Sequence, residues 1–333
     1  MDAPLWTETH APDLEDLPQP EVREYLSRAV EEPMNLLVHG PSGAGKTAAV
    51  RAYARAAHGT EDDLVTINVA DFFGLTKREL ADDPRFESFL TPKRVRESSK
   101  AALINHVLKE SASYAPVAST YRTILLDDAE AMREDFQQAL RRVMERHHEA
   151  TQFVITTRRP SAIIAPIRSR CAPVQMRAPS TAEIVAVLEG IVEEEGVEYD
   201  DDGLEFVAGY ANGDLRAAIL GAQTTAETTG EITMNAAYEA LDDVGTDDRI
   251  RGMLDSAESG EFSDARSTLD DLLVDEGYDG EEVLSDILRV ARSRYRGEEL
   301  AELHRLAGEI DFDLAEGTSD RIHLSHLLAE LGR

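Results

Sequence analysis

The chain has 333 residues, 65 acidic against 34 basic, a formal net charge of -31 and one cysteine, Cys171. The length leaves room for two or three domains with their own cores, and a lone cysteine excludes an intrachain disulfide and a cysteine-ligated metal. No apolar run reaches the length of a membrane span and Met1 to Thr9 lacks the apolar core of a signal peptide, so no membrane role and a cytoplasmic location are expected.

The charge needs a reason of its own. All five lysines (Lys46, Lys77, Lys93, Lys100 and Lys109) lie in the first third, and every other cation is arginine. An acidic tail or a nucleic-acid mimic would cluster its charge, whereas these acids are spread over the solvent faces of many helices. Such a surface repels itself in dilute buffer and is tolerable where the Debye length falls to about 3 Å, near 1 M salt. The composition therefore reads as adaptation to a salty cytosol.

In chain order, Trp6-Thr7-Glu8-Thr9-His10-Ala11-Pro12 is a proline-bounded lead-in. An amphipathic helix follows from Gln19 or Pro20, with Val22, Leu26, Ala29 and Val30 on one side. Met34 to Val38 reads as a buried parallel strand, and Ala48 to Ala57, rich in Ala and Arg, as a helix. Between them, His39-Gly40-Pro41-Ser42-Gly43-Ala44-Gly45-Lys46-Thr47 fits G-x-x-x-x-G-K-[ST] at every fixed position. Glycines let backbone N–H groups wrap a phosphate, and the helix start adds partial positive charge. Gly40, Pro41, Ser42, Gly43, Ala44, Gly45, Lys46 and Thr47 are therefore candidate nucleotide-binding residues, with Lys46 on the β and γ phosphates and Thr47 on Mg2+. A glycine-rich turn that binds nothing is the plain alternative, and the strand–loop–helix context speaks against it.

Leu64 to Val69 alternates like a short strand. Asp71 to Pro92 reads as an irregular loop whose Phe72, Phe73, Phe86, Phe89 and Leu90 cover the core, with a partner surface as the alternative. Pro92-Lys93-Arg94-Val95-Arg96, then Lys100, is the densest basic cluster and enters a helix running to about Ser111. Either Arg94, Arg96 and Lys100 contact a phosphate backbone or they are a solvated helix start paired with neighbouring carboxylates.

Thr123-Ile124-Leu125-Leu126-Asp127-Asp128 is an apolar strand ending in two carboxylates, some 80 residues after the loop. Asp127 would hold Mg2+ through its water shell, together with Thr47, and Asp128 would polarise the attacking water. A helix from Glu134 to His147 buries Phe136, Leu140, Val143 and Met144; His147 and His148 diverge on it and are no metal pair. Gln152 to Thr156 is another buried strand, ending at Thr157-Arg158-Arg159-Pro160, before Ile163 to Cys171. Ser180-Thr181-Ala182-Glu183 is a capping-box start, after which the pattern is helical to the end. Phe262, Ala265, Leu269, Leu272 and Leu273 recur at three- and four-residue steps like a buried helix face.

Phe136 to Met144 (F-Q-Q-A-L-R-R-V-M), Ile163 to Cys171 (I-I-A-P-I-R-S-R-C) and Gly213 to Arg216 (G-D-L-R) resemble small subunits of replication factor C, the clamp loader of archaea and eukaryotes. Trp6-Thr7-Glu8 is similar to that family's N-terminal box, and Ile310 to Gly317 to a segment near its C-terminus. The resemblance implies an α/β AAA+ parallel-sheet ATPase domain (1–177), a small helical lid (178–243) and an all-helical collar (244–333) that joins subunits in a ring. It implies ATP and Mg2+ as cofactors, with Asp128 catalytic, Arg170 an arginine finger for the adjacent subunit, and Arg216 a second sensor in cis. The implied partners are other replication factor C subunits in a heteropentamer, a sliding clamp and primer-template DNA.

Three departures from the family pattern stand out. Asp127-Asp128 replaces the usual D-E pair, Arg158 stands where a sensor Asn is usual, and Thr9-His10-Ala11-Pro12 replaces Lys-Tyr-Arg-Pro. They leave two functions to weigh: a subunit whose ATP cycle opens the clamp and loads it on DNA, or an ATP-binding structural subunit of the same complex that hardly hydrolyses. Another AAA+ protein, a branch-migration helicase or an initiator, is the third reading; an initiator would carry a C-terminal DNA-binding domain, and none is read here.

Overall fold

The computed structural model describes residues 4–82, 90–113, 120–147, 150–241, 244–275, 278–316 and 319–332. These fall into two compact units, Met1–Leu241 and Asp242–Arg333. The first is built on five parallel strands: β1 (Leu36–His39), β2 (Leu64–Asn68), β3 (Arg122–Asp127), β4 (Thr151–Thr157) and β5 (Ala172–Gln175). Their order is β2-β3-β4-β1-β5. The chain leaves β1, crosses to β2 at the far edge and returns through β3 and β4 to pair with β1, then jumps past β1 to β5. Residues of β3 and β4 are buried throughout, as strands covered on both faces require.

Two apolar clusters lie on this sheet. One holds Leu103, Leu108, Ile124, Phe136, Phe153 and Ile167, and the other Leu26, Leu36, Tyr53, Leu125 and Val154. The fifth strand is absent from the sequence reading because it is short and contains Pro173, which an edge strand tolerates, since only one side of it must donate to a ladder.

Asp71 to Pro92 is less irregular than its sequence indicates. Val69–Gly74, Lys77–Asp82 and Pro92–Glu97 are short helices, started by the Asn68 side chain accepting from the Asp71 N–H and the Thr91 hydroxyl from the Arg94 N–H. Phe72 is buried, and Phe73 is half-buried against the same cluster, edge-on to Phe136 at 5.1 Å, so both cover the core. Phe86 and Phe89 lie outside the described residues, as does His148.

Residues 181–241 have their own apolar centre, with Ile184, Leu188, Leu204, Val207 and Ile219. Ser180 and Glu183 form the capping box that the sequence indicates. Trp6, the only tryptophan, is buried in this same cluster, and its backbone N–H donates to Gln223 Oε1 at 2.9 Å. The lead-in is therefore a strap on the helical layer rather than a prelude to β1. Arg177, at the junction, is held by Glu183 and Glu21, and Glu183 is drawn down to about 2 by that guanidinium.

The second unit consists of helices Val244–Glu258, Phe262–Asp270, Gly280–Arg294, Gly297–Glu316 and Asp320–Leu331, packed through Leu254, Leu269, Ile287, Ile310 and Leu327. Of the expected helix face, Ala265, Leu269 and Leu272 are buried, Leu273 is half-buried and Phe262 is exposed, because Phe262 is the first helical residue and sits past the edge of the core. No described helix is long and apolar enough to cross a membrane.

Trp6→Ala removes a large buried side chain, and its expected cost to the first unit is about 3 kcal/mol by chemical denaturation. A loss below about 0.5 kcal/mol, the level of surface substitutions, would show that the strap lies outside the cooperative core.

Candidate nucleotide site

Because β4 lies between β3 and β1, the C-terminal ends of three neighbouring strands present Asp127-Asp128, Thr157-Arg158 and the loop Gly40 to Gly45 at one edge. Open parallel sheets bind their ligands outside this edge. The loop is fixed by what a side chain would strike. A Cβ on Gly40 would come within 1.9 Å of the Met176 carbonyl, and Gly43 and Gly45 have φ of +64° and +87°, which favour glycine. Gly45 caps the helix Lys46–His58, so Lys46 and Thr47 occupy its first turn.

Lys46 Nζ donates to the carbonyls of Gly40 at 3.1 Å and Pro41 at 2.6 Å. Burial pulls its ammonium below the usual value, against the opposing charges of Asp128, Glu130 and Asp127. Thr47 Oγ1 donates to the Asp127 carboxylate at 2.9 and 3.0 Å, and the Thr156 hydroxyl donates to it from β4. The residue pair that the sequence assigns to a metal is thus assembled. Among the described residues no group of three or more His, Cys, Asp or Glu could hold a metal ion.

Asp128 has φ 52°, a left-handed conformation that a short polar side chain tolerates, and its carboxylate accepts from Asn68 Nδ2 at 3.2 Å. Burial, then Asp127 and Glu130, push its carboxyl above the usual range. Glu130 escaped the sequence reading. Thr157 Oγ1 donates to it at 2.8 Å, the Arg158 N–H at 3.2 Å and Arg158 Nε at 2.7 Å. Burial alone would raise Glu130, but these donors hold it at about 2. Nothing in its sequence spacing marks it, since its donors come from the last residue of β4 and the residue after it, 27 and 28 residues away.

The lid segment reaches the loop from above. The Leu215 N–H donates to the Gly43 carbonyl at 3.0 Å, and a Cβ on Gly43 would strike the Asp214 carboxylate at 1.9 Å. That carboxylate also caps the helix Leu215–Thr229 by accepting from the Ala217 N–H. Arg216 is exposed beside this contact.

Arg170 stands apart from these groups, exposed on the surface. Its guanidinium donates to Glu145 Oε1 and to the Pro166 carbonyl, both at 2.6 Å, so in the single chain the intrachain ion pair is made. Arg94 and Arg96 are exposed on the helix Pro92–Glu97. Lys100 is not: it is half-buried, with Nζ donating to the Phe73 carbonyl at 2.5 Å, and this correction removes it from the backbone-contacting set. Cys171 is buried, its thiol pushed up to about 12, the small hydrophobe that its apolar surroundings call for.

A glycine loop that leads from a strand of a five-stranded parallel sheet into a helix, with a hydroxyl and a carboxylate paired beside it, defines a P-loop protein of the AAA class. Residues 30–161 match the family model described as AAA domain, and residues 246–330 that described as replication factor C C-terminal domain. The chain belongs to the replication factor C small subunit family. It is 31% identical to the replication factor C small subunit of Halobacterium salinarum, over 98% of this chain and 95% of that one. Identity is 31% to that of Methanococcus maripaludis, over 98% of each, and 33% to that of Aeropyrum pernix, over 98% and 95%.

Gly43→Ala would impose a left-handed conformation on a Cβ residue, at about 1–2 kcal/mol, and displace a pinned carboxylate as well. Affinity for a fluorescent ATP analogue is expected to fall about tenfold or more, and unchanged affinity would show that the lid contact does not bear on the loop.

Proposed function

We propose that this chain is an ATP-hydrolysing clamp loader subunit, which together with other replication factor C subunits opens a sliding clamp and loads it on primer-template DNA. The observation that carries the proposal is the meeting of Gly40 to Thr47, Asp127 and Asp128 at one sheet edge, in a chain whose two family matches are AAA and replication factor C. The residues fit Mg2+-ATP: a loop whose geometry calls for glycine, a buried ammonium, and a hydroxyl and a carboxylate within hydrogen-bond reach of each other. When bound, Mg2+-ATP supplies the phosphoanhydride to be cleaved and a metal charge that neutralises its phosphates. Backbone N–H groups of the loop and Lys46 hold the phosphates, while Thr47 and Asp127 hold the ion. Asp128 orients water and takes its proton, with Asn68 fixing the carboxylate.

Arg170 is the group lent to the neighbour. Its pair with Glu145 is between side chains that are 37% and 42% exposed, a class worth about 0–1 kcal/mol, so docking of a second subunit can draw the guanidinium away at little cost. Hydrolysis then depends on assembly, as fingers that contribute about 10³ to 10⁵ in rate require. The three-part division into an ATPase domain, a lid at 178–243 and a collar at 244–333 serves the same ring, and Arg94 and Arg96 present charge to the DNA backbone. The scaffold alternative has no observation of its own, since Asp128 and Arg158 both stand within the site.

Arg170→Ala is expected to abolish DNA-stimulated turnover in the assembled complex and leave nucleotide binding intact; unchanged turnover would remove the trans role. The Asp128 carboxyl is active when ionised and its ionisation is opposed by burial. The acid limb of turnover is therefore expected above the ordinary aspartate value of about 3.9, and to vanish with activity in Asp128→Asn. A limb at or below that value would rule out Asp128 as the titrating group.

A further inference from the structure

We propose that the groove between the helices Lys100–Ser113 and Glu134–His147 is an anion site, separate from the nucleotide loop, whose ligand is inorganic phosphate. The inference goes beyond the nucleotide reading and does not depend on it. Both helices pack on the same apolar cluster of the sheet, and between them they leave a cavity of about 220 Å3. Asn105 and Lys109 line it from the first helix, and Arg142, Arg146 and His147 from the second. Residues 105 and 109, like 142 and 146, are four apart, so each pair lies along one helix face. Arg146 and His147 end their helix just before β4 begins at Thr151, at the sheet edge opposite the one that carries the loop.

The cations of this groove have no counter-charge. With 65 acidic residues to 34 basic ones, a surface cation here readily finds a carboxylate, and close neighbours do: His106 pairs with Glu110 and Arg141 with Glu145. Among the described residues the side chains of Lys109, Arg142 and Arg146 make no hydrogen bond or ion pair. Two buried atoms of the lining, Asn105 Oδ1 and His147 Nε2, also have no partner. Burial holds the His147 imidazole below its usual value, and the charges of Arg146 and Lys109 add to that. Attraction of last-turn cations to the helix dipole is the other account, and it covers Arg146 and His147. It leaves Lys109, on the facing helix, and both buried atoms unexplained.

The donor set selects the anion. Two guanidinium forks and an ammonium offer N–H groups to oxygen, and the imidazole adds another when protonated. Asn105 Oδ1, in contrast, only accepts, so the ligand must bring a proton as well as oxygens. Inorganic phosphate keeps at least one P–OH at neutral pH, whereas sulfate and phosphodiesters carry none. The cavity is also below the roughly 300–1,000 Å3 of small-molecule sites, which suits a single tetrahedral ion better than a nucleotide.

The test titrates the full chain, isotopically labelled at histidine, with potassium phosphate in KCl at constant molar ionic strength, where a Debye length of about 3 Å leaves only direct contacts. The His147 ring signal, assigned by its loss in His147→Gln, is expected to move saturably. Its titration midpoint is expected to rise, because an anion beside the ring favours the charged form. Arg142→Gln and Arg146→Gln, both at exposed positions, are expected to weaken phosphate about tenfold, the loss of one charge-assisted contact. Asn105→Leu should bring phosphate down to the affinity of sulfate and leave sulfate unchanged. A thermal melt identifies a misfolded variant, and the comparison of phosphate, sulfate and dimethyl phosphate on the native chain decides the matter without any variant. Equal response to the three anions, no response, or a response unaltered in both arginine variants would overturn the proposal. Lys46→Ala is expected to lose nucleotide and keep the His147 response; losing both would assign the anion to the loop and overturn the separate site.

Discussion

A carboxylate buried at the edge of a sheet is costly unless donors surround it, and Asp127 is the point where this chain meets that cost. Thr47 comes to it from the first turn of the helix after the loop and Thr156 from the central strand, so one acid ties β3, β4 and the phosphate loop together. Loop geometry, helix position and the Thr47–Asp127 pair are therefore one arrangement. The same economy places Asp128 in a left-handed turn, where the Asn68 amide, already used by its Oδ1 to start the next helix, steadies the carboxylate.

Coupling between this edge and the helical layer runs through few contacts. Asp214 and Leu215 touch Gly43, Arg177 ties the junction through Glu21 and Glu183, and the Trp6 strap is buried in the lid core. His10 adds to the strap by standing between Glu194 and Glu195. A change at the loop thus has a short mechanical route to the lid, because the Asp214 carboxylate cannot move away from Gly43 without giving up its cap on the lid helix.

In a chain of net charge -31, each retained arginine is informative, and the structure sorts them by the burial of their partners. Arg170 and Glu145 are both half in water, an interaction that screening weakens and a neighbour can replace. Arg158 is bound to a carboxylate that is only 5% exposed and accepts from three donors, an interaction that salt screens less. One cation is releasable and the other is fixed, and that difference follows from burial, with the residue type and its position near a strand end being much alike.

Much of the nucleotide edge was legible beforehand. The loop, its helix, the strand ending at Asp127 and the capping box at Ser180 all follow from local rules: glycine conformations, apolar runs and side chains that reach three residues along. The strand with Pro173 was not, nor the helices between Asp71 and Pro92, where a charged background hides short segments that only packing sustains. Lys100 looks like a surface residue by composition and is half-buried, its ammonium donating to the Phe73 carbonyl 27 residues away, whereas Phe72 covers the core as its apolar character indicates. The sequence by itself determined the glycine loop, the helix that follows it and the apolar strand ending in Asp127, because those requirements are spaced along a few consecutive residues. Only the tertiary structure decided that Glu130 holds Arg158, that Asp214 rests on Gly43 and that Trp6 belongs to the lid, because each joins residues whose proximity depends on strand order and packing, and no local spacing encodes either.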